Sequence, residues 1–476
     1  MRELPASMSR AVGWLRQAER ATRPVNKEFV AAMARRWAEL PDHVRTPAQA
    51  LGRHAVGCEG THGVFPRCNL VCTPCYHSRD ANRVRVDGPH TLREVEAQMG
   101  LLRRLRGPTA HAQLIGGEVS LLSPDDHAAA LMVMRRYGRE PMSMTHGDFD
   151  YDYLARLALG PDGQPRLGRL SFAAHFDMLM FGRSGLARAA SEVELNPFRQ
   201  RFCAMFARLR REHRVRSFLA HNMTVTPTNL HQIAGVIRDC HDMGFSMFSF
   251  QPAAFVGDDR RWHEDYRDAS GDRVWAEIER GAGAKLDHHL VQHGDLRCNR
   301  VAYGFYVGDC WFPLLTDDPC DLAARDAFYR HFGGVIFTGS PLAVVAGRVA
   351  RVVARHPRVV AIALGWLART ARRVGVRSLL RHRRVRPVSF VMHSFMDAAD
   401  VAPAWDLLQR GERSDDPRIR ATQERLQACH YTMAHPKNGT LVPACVQHSV
   451  LDPAENRQLG ELLPLPIRQA RQTAEP

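Results

Sequence analysis

The chain has 476 residues, 45% of them apolar, which is enough for two or three domains with ample core. Its formal charge of +15 is concentrated: between Phe328 and Met396 lie thirteen Arg, no Lys and no acidic residue, so the remainder is near neutral. Eleven cysteines, an odd number, behind a polar, charged opening from Met1 to Arg23 argue against a disulfide scaffold and for a cytoplasmic protein in a reducing compartment.

Residues 1–50 read as a helical lead-in, with runs such as Ala31-Ala32-Met33-Ala34-Arg35-Arg36. Over residues 51–257 short apolar runs alternate with helix-length segments, the rhythm of βαβ units and a parallel sheet. Six strands are predicted: Gly63–Phe65, Ala112–Ile115, Pro141–Met144, Leu170–Ala174, Ser217–Ala220 and Ser246–Phe250. A helix is predicted from Asn229 to Met243, closed by Gly244. Residues 258–330 form a cysteine-containing extension, 331–390 an Arg-rich amphipathic helical segment, and 391–476 a C-terminal cysteine hairpin and tail. Polar residues gather after the predicted strands: Gly116-Gly117-Glu118, His146 and Asp148, His175 and Asp177, then Asn222 and Thr224. Loop residues satisfying local backbone groups would look the same.

Within Arg67-Cys68-Asn69-Leu70-Val71-Cys72-Thr73-Pro74-Cys75-Tyr76, three cysteines stand at Cx3Cx2C spacing with an aromatic directly after the last. Iron–sulfur cubes normally take four thiolates, so three leave one iron open to a ligand. Half of a zinc site is the competing reading, although structural zinc wants four ligands. The motif resembles that of the radical S-adenosylmethionine (radical SAM) superfamily, and Gly116-Gly117-Glu118, about forty residues on, resembles the superfamily's SAM-binding Gly-Gly-Glu.

That resemblance implies an α/β fold, a partial (β/α)6 TIM-like barrel with a C-terminal extension. It implies a [4Fe–4S] cluster on Cys68, Cys72 and Cys75, with SAM on the fourth iron and Tyr76, Gly116, Gly117, Glu118 and Asn222 as cofactor-binding residues. Cleavage of SAM would give a 5′-deoxyadenosyl radical that abstracts hydrogen from an unactivated carbon, with the electron coming from a donor such as flavodoxin or ferredoxin. Arg183 is a candidate partner for a carboxylate. No individual catalytic residue is assigned.

Cys203 and Cys240 fall on predicted helices among apolar neighbours, as small buried hydrophobes do. Cys429 and Cys445 flank a predicted hairpin whose tip, Asn438-Gly439, signals a type I′ turn. This piece and Leu296–Tyr303 are similar to parts of class D radical SAM methyltransferases and the related tetraether lipid synthases, although here the spacing is Cys429-x-Tyr431. The resemblance implies an auxiliary iron–sulfur cluster drawing on Cys298, Cys310 or Cys320, Cys429 and Cys445, with unligated buried thiols as the alternative.

In the arginine-rich segment, Arg348, Arg351, Arg355 and Arg358 recur at helical spacing opposite Val349, Val352 and Val353. Such faces suit a lipid surface, a phosphate backbone or plain solvation. Sparse aromatics disfavour nucleic acid. The expected protein is a cytoplasmic radical SAM enzyme with peripheral membrane contact, acting on a lipid by carbon–carbon bond formation or methylation. Modification of a pterin-like cofactor or a peptide, and a zinc-stabilised nucleic-acid-binding protein, stand as the alternatives.

Overall fold

The computed structural model describes Trp14 and residues 25–77, 79–108, 110–256, 268–337 and 340–466. The first part of the expected N-terminal lead-in, the expected boundary at 257/258 and the end of the tail lie outside these residues. The protein is a mixed α/β structure built on one large sheet.

The strands, in chain order, are β1 (Cys58–Gly60), β2 (Val71–Cys72), β3 (Ala110–Leu114), β4 (Arg139–Thr145), β5 (Arg169–His175), β6 (Met180–Phe181), β7 (Arg216–Val225) and β8 (Met247–Pro252). They continue with β9 (Asn299–Ala302), β10 (Gly304–Val307), β11 (Cys310–Pro313), β12 (Val385–Pro387), β13 (Ser389–His393), β14 (Tyr431–His435) and β15 (Thr440–Pro443). Among the described residues the main sheet has ten strands in the order β15-β14-β1-β3-β4-β5-β7-β8-β13-β9. All its neighbours are parallel except the two outer pairs, β14–β15 and β13–β9.

Strands β1, β3, β4, β5, β7 and β8 therefore lie side by side in chain order, as successive βα units require. Caps set the helix starts. Asp87 accepts from the His90 N–H before the helix Gly88–Arg106, and Ser123 accepts from the Asp126 N–H before Pro124–Arg136. The core contains Phe172, Phe202, Phe206, Phe248 and Phe390, all essentially solvent-free.

Five of the six predicted strands are found within a few residues. The first is displaced: the strand is Cys58–Gly60, and Gly63 has φ +64°, outside strand geometry, so Val64 and Phe65 reach the core from a loop. The helix predicted over Asn229–Met243 is shorter, Ile233–Cys240, after one 3-10 turn. The predicted cysteine hairpin is β14–β15, with Gly439 at φ +66° in its turn, and it docks against β1.

Candidate functional site

Because the central strands are parallel, the segments after β1, β3, β4, β5 and β7 all emerge at one edge of the sheet. Cys68, Cys72 and Cys75 occupy the long loop after β1. The Cys68 N–H donates to Asn82 Oδ1 at 3.0 Å, and the Leu70 N–H donates to Cys68 Sγ at 3.4 Å. Cys72 lies in β2 opposite Met180 of β6, so the segment after β5 clamps the loop. Burial pushes the Cys68 thiol up to about 12, reinforced by Glu118 and Cys75.

Gly116 and Gly117 meet the cysteine loop itself. A Cβ on Gly117 would sit 2.1 Å from the Arg67 carbonyl oxygen, and one on Gly116 would sit 2.6 Å from the Phe65 ring. The Gly117 N–H donates to Phe65 O at 2.7 Å and the Glu118 N–H to Arg67 O at 2.9 Å. The glycines thus let β3's end approach the chain just before Cys68.

Glu118 is completely buried. Its carboxylate accepts from the Ser120 N–H (2.9 Å), the Thr145 hydroxyl (2.7 Å) and the His146 N–H (2.8 Å). The Asp148 N–H donates to His146 Nδ1, so His146 Nε2 carries the proton and donates to Asn69 Oδ1 at 2.9 Å. Asn69 sits between Cys68 and Leu70, so this chain ties the ends of β3 and β4 to the cysteine loop. Sequence reading singled out Glu118 and His146 separately but missed the link through Asn69, which no local pattern encodes.

Asp177 is buried and bonds His175 Nε2 at 2.5 Å, the Thr224 N–H at 3.0 Å and the Leu179 N–H at 3.0 Å. Asn222, buried on β7, accepts the Phe176 N–H at its carbonyl. Arg183 is 4% exposed; one terminal nitrogen, Nη2, donates to His146 O at 2.9 Å, while Nη1 is buried with no partner. Its guanidinium packs over Phe176 and Phe198. Burial lowers its pKa, opposed by Asp148, Asp177, Cys72 and Glu118. Tyr76 lies against His77, His448 and Phe395, with ring centroids 4.6, 4.4 and 6.5 Å away, and burial raises its hydroxyl pKa well above normal.

Of the cysteines expected in a second centre, the structure brings Cys298, Cys429 and Cys445 together. Burial pushes the Cys429 thiol up to about 11, with Cys298 adding to the rise, and it raises Cys445 with help from Cys429 and Cys298. Burial also raises Cys298, opposed by Arg425, whose Nε donates to Cys298 Sγ at 3.1 Å. Cys310 does not join them: it is exposed at the start of β11, in a separate three-stranded sheet β11-β10-β12. Cys320 is exposed in the first turn of the helix Pro319–Phe332.

No family model and no curated protein matches the sequence. Solved structures similar in part include native anSMEcpe with bound AdoMet, 14% identical, with TM-score 0.30, covering 46% of this chain and 57% of that one. The same protein with AdoMet and a Cp18Cys peptide is 14% identical, with TM-score 0.26, covering 41% and 50%. The chain spans about half the length of these structures.

Proposed function

We propose that the protein is a radical SAM enzyme whose [4Fe–4S] cluster is held by Cys68, Cys72 and Cys75. One observation carries this. Three thiols stand on a loop locked to the end of β3 by Gly116-Gly117, and Arg183 keeps a buried, unpartnered guanidinium nitrogen at the same edge, with Cys72 among the groups that support its charge. The donor set fits a cube with an open iron, and the orphaned nitrogen fits an anionic ligand such as the carboxylate of SAM. When bound, the cluster supplies the electron that splits SAM and so generates a radical able to take hydrogen from an unactivated carbon.

The chain's own residues do the positioning. Glu118 and His146 fix the loop through Asn69, and Arg183 is aimed for the ligand's carboxylate. Tyr76, directly after Cys75, stacks on Phe395 and backs the half-buried cysteine loop on one side. Tyr76, Gly116, Gly117, Glu118 and Asn222 remain the cofactor-binding set in this reading, the glycines acting through the loop they seat.

For the substrate we favour a long-chain lipid modified by methylation or carbon–carbon bond formation. The helix Arg358–Val374 turns Val360, Leu364 and Leu367 to solvent, 40%, 60% and 51% exposed, within the segment that lacks acidic residues. Among the described residues no helix is long and apolar enough to cross a membrane. An interfacial contact with anionic lipid suits such a face. A second cluster on Cys298, Cys429 and Cys445 completes the proposal.

The test is anaerobic reconstitution with iron, sulfide, reductant and SAM. Wild-type protein should form 5′-deoxyadenosine and Cys68→Ala should not; product formation by the variant at the wild-type rate refutes the assignment.

A further inference from the structure

Away from the cysteine loop's thiols, three side chains from distant parts of the chain converge. His62 lies just after β1, His435 ends β14, and Glu455 stands on the helix Asp452–Leu462. One ligand atom from each lies within 4.8 Å of the other two. The imidazoles stack with centroids 4.1 Å apart and planes 19° from parallel. His62 Nδ1 is 3.1 Å from Glu455 Oε2, and His435 Nδ1 is 3.9 Å from Glu455 Oε1.

The other ring nitrogens fix the tautomers. His62 Nε2 faces the Ala434 carbonyl oxygen at 3.0 Å, which can only accept. His435 Nε2 faces Gln447 Oε1 at 2.6 Å, and the Gln447 amide nitrogen is committed to Asp452 Oδ1 and Glu455 Oε2, both at 2.8 Å. Both protons therefore sit on Nε2, and both Nδ1 lone pairs face one carboxylate. Without a cation between them, those lone pairs oppose the carboxylate's; a proton on His62 relieves only one contact. Tetrahedral bonds of about 2.0–2.1 Å to nitrogen place neighbouring ligand atoms roughly 3.3 Å apart, between the two separations found. Metal-ligating imidazoles usually donate their far N–H to such an oxygen, so Ala434 O and Gln447 Oε1 stand where the outer shell of a metal site would.

We infer that His62, His435 and Glu455 bind one divalent transition-metal ion of the zinc class. Two imidazoles and a carboxylate favour zinc, cobalt or ferrous ion over magnesium or calcium. Glu455, with its side chain 30% exposed, leaves a solvent-side position for water. The ion would fasten the C-terminal helix to the sheet edge, six residues before Cys68. It does not depend on the radical SAM proposal, since none of its ligands is a cysteine.

The experiment titrates Zn(II) and Co(II) into full-length, iron-reconstituted protein cleared of loosely held metal. One equivalent of zinc should bind, and Co(II) should show ligand-field bands without thiolate charge transfer. His435→Gln and Glu455→Gln should lose the site while retaining iron, and Gln447→Leu should weaken it about 10- to 100-fold. Cys68→Ala should keep it, which separates this outcome from failure of the cluster assignment. Equal zinc binding by wild type and both ligand variants overturns the inference. So does a wild-type Co(II) spectrum with no bands or with thiolate charge transfer alone, and that measurement stands even where a variant does not fold.

Discussion

Gly117→Ala tests the mechanical link between β3 and the cysteine loop. The added carbon would stand 2.1 Å from the Arg67 carbonyl oxygen and 2.3 Å from its carbon, so rigid backbone must move by about 1 Å to restore contact distance. That movement breaks the bonds from Gly117 N–H to Phe65 O and from Glu118 N–H to Arg67 O. At about 0.5–1.5 kcal/mol each, their loss costs roughly 1–3 kcal/mol of stability. A displacement of about 1 Å at the cluster loop should lower SAM cleavage on the order of 100-fold. Gly235→Ala is the control: it lies in the helix Ile233–Cys240, nothing stands within 4 Å of its added carbon, and the change should stabilise by about 0.5–1 kcal/mol. Denaturant titration reads stability, and 5′-deoxyadenosine formation reads turnover. If Gly117→Ala matches wild type in both, the glycines do not seat the loop and the coupling is refuted.

Cys429→Ala should lower iron and sulfide per chain, read by elemental and sulfide analysis; an unchanged count leaves Cys298, Cys429 and Cys445 as buried thiols. Leu364→Asp with Leu367→Asp should reduce affinity for anionic vesicles, read by flotation, by at least roughly 100-fold, since two leucines each contribute about 1.5–3 kcal/mol when buried. No flotation by wild-type protein would remove the lipid surface. Acid should destabilise the protein through His54, His293 and His393, each lowered to about 4 by burial. Above pH 6.5 these rings are neutral in both states and stability does not depend on them; as pH falls from 6.5 toward 4 the unfolded chain takes up protons that the folded one refuses, and stability drops. Stepwise denaturant titration should show a decline on the order of a few kcal/mol across that window, and a flat profile would mean that these rings are not held neutral.

What was legible in the sequence was whatever lay within about ten residues. The Cx3Cx2C spacing, the Gly-Gly-Glu after a strand and the Asn438-Gly439 turn each declare themselves locally, and the alternation of short apolar runs with helical stretches gave the parallel sheet. The misplaced first strand shows the limit, because Val64 and Phe65 are apolar for the core's sake and not because they pair. Cys310 illustrates the same limit from the other side: its proximity in sequence to Cys298 carried no information, because the turn from β9 to β10 turns it onto a different sheet.

Contacts made across hundreds of residues were invisible. His62 meets Glu455 across 393 positions, and only the parallel pairing of β1 with β14, Gly60 opposite Met433, sets His62 beside His435. The strand that delivers the cysteine loop is flanked by β3, whose glycines seat the loop, and by β14, whose hairpin ends carry Cys429 and Cys445. The C-terminal region is thus part of the main sheet beside the cysteine loop, with β14 paired to β1 and His448 against Tyr76.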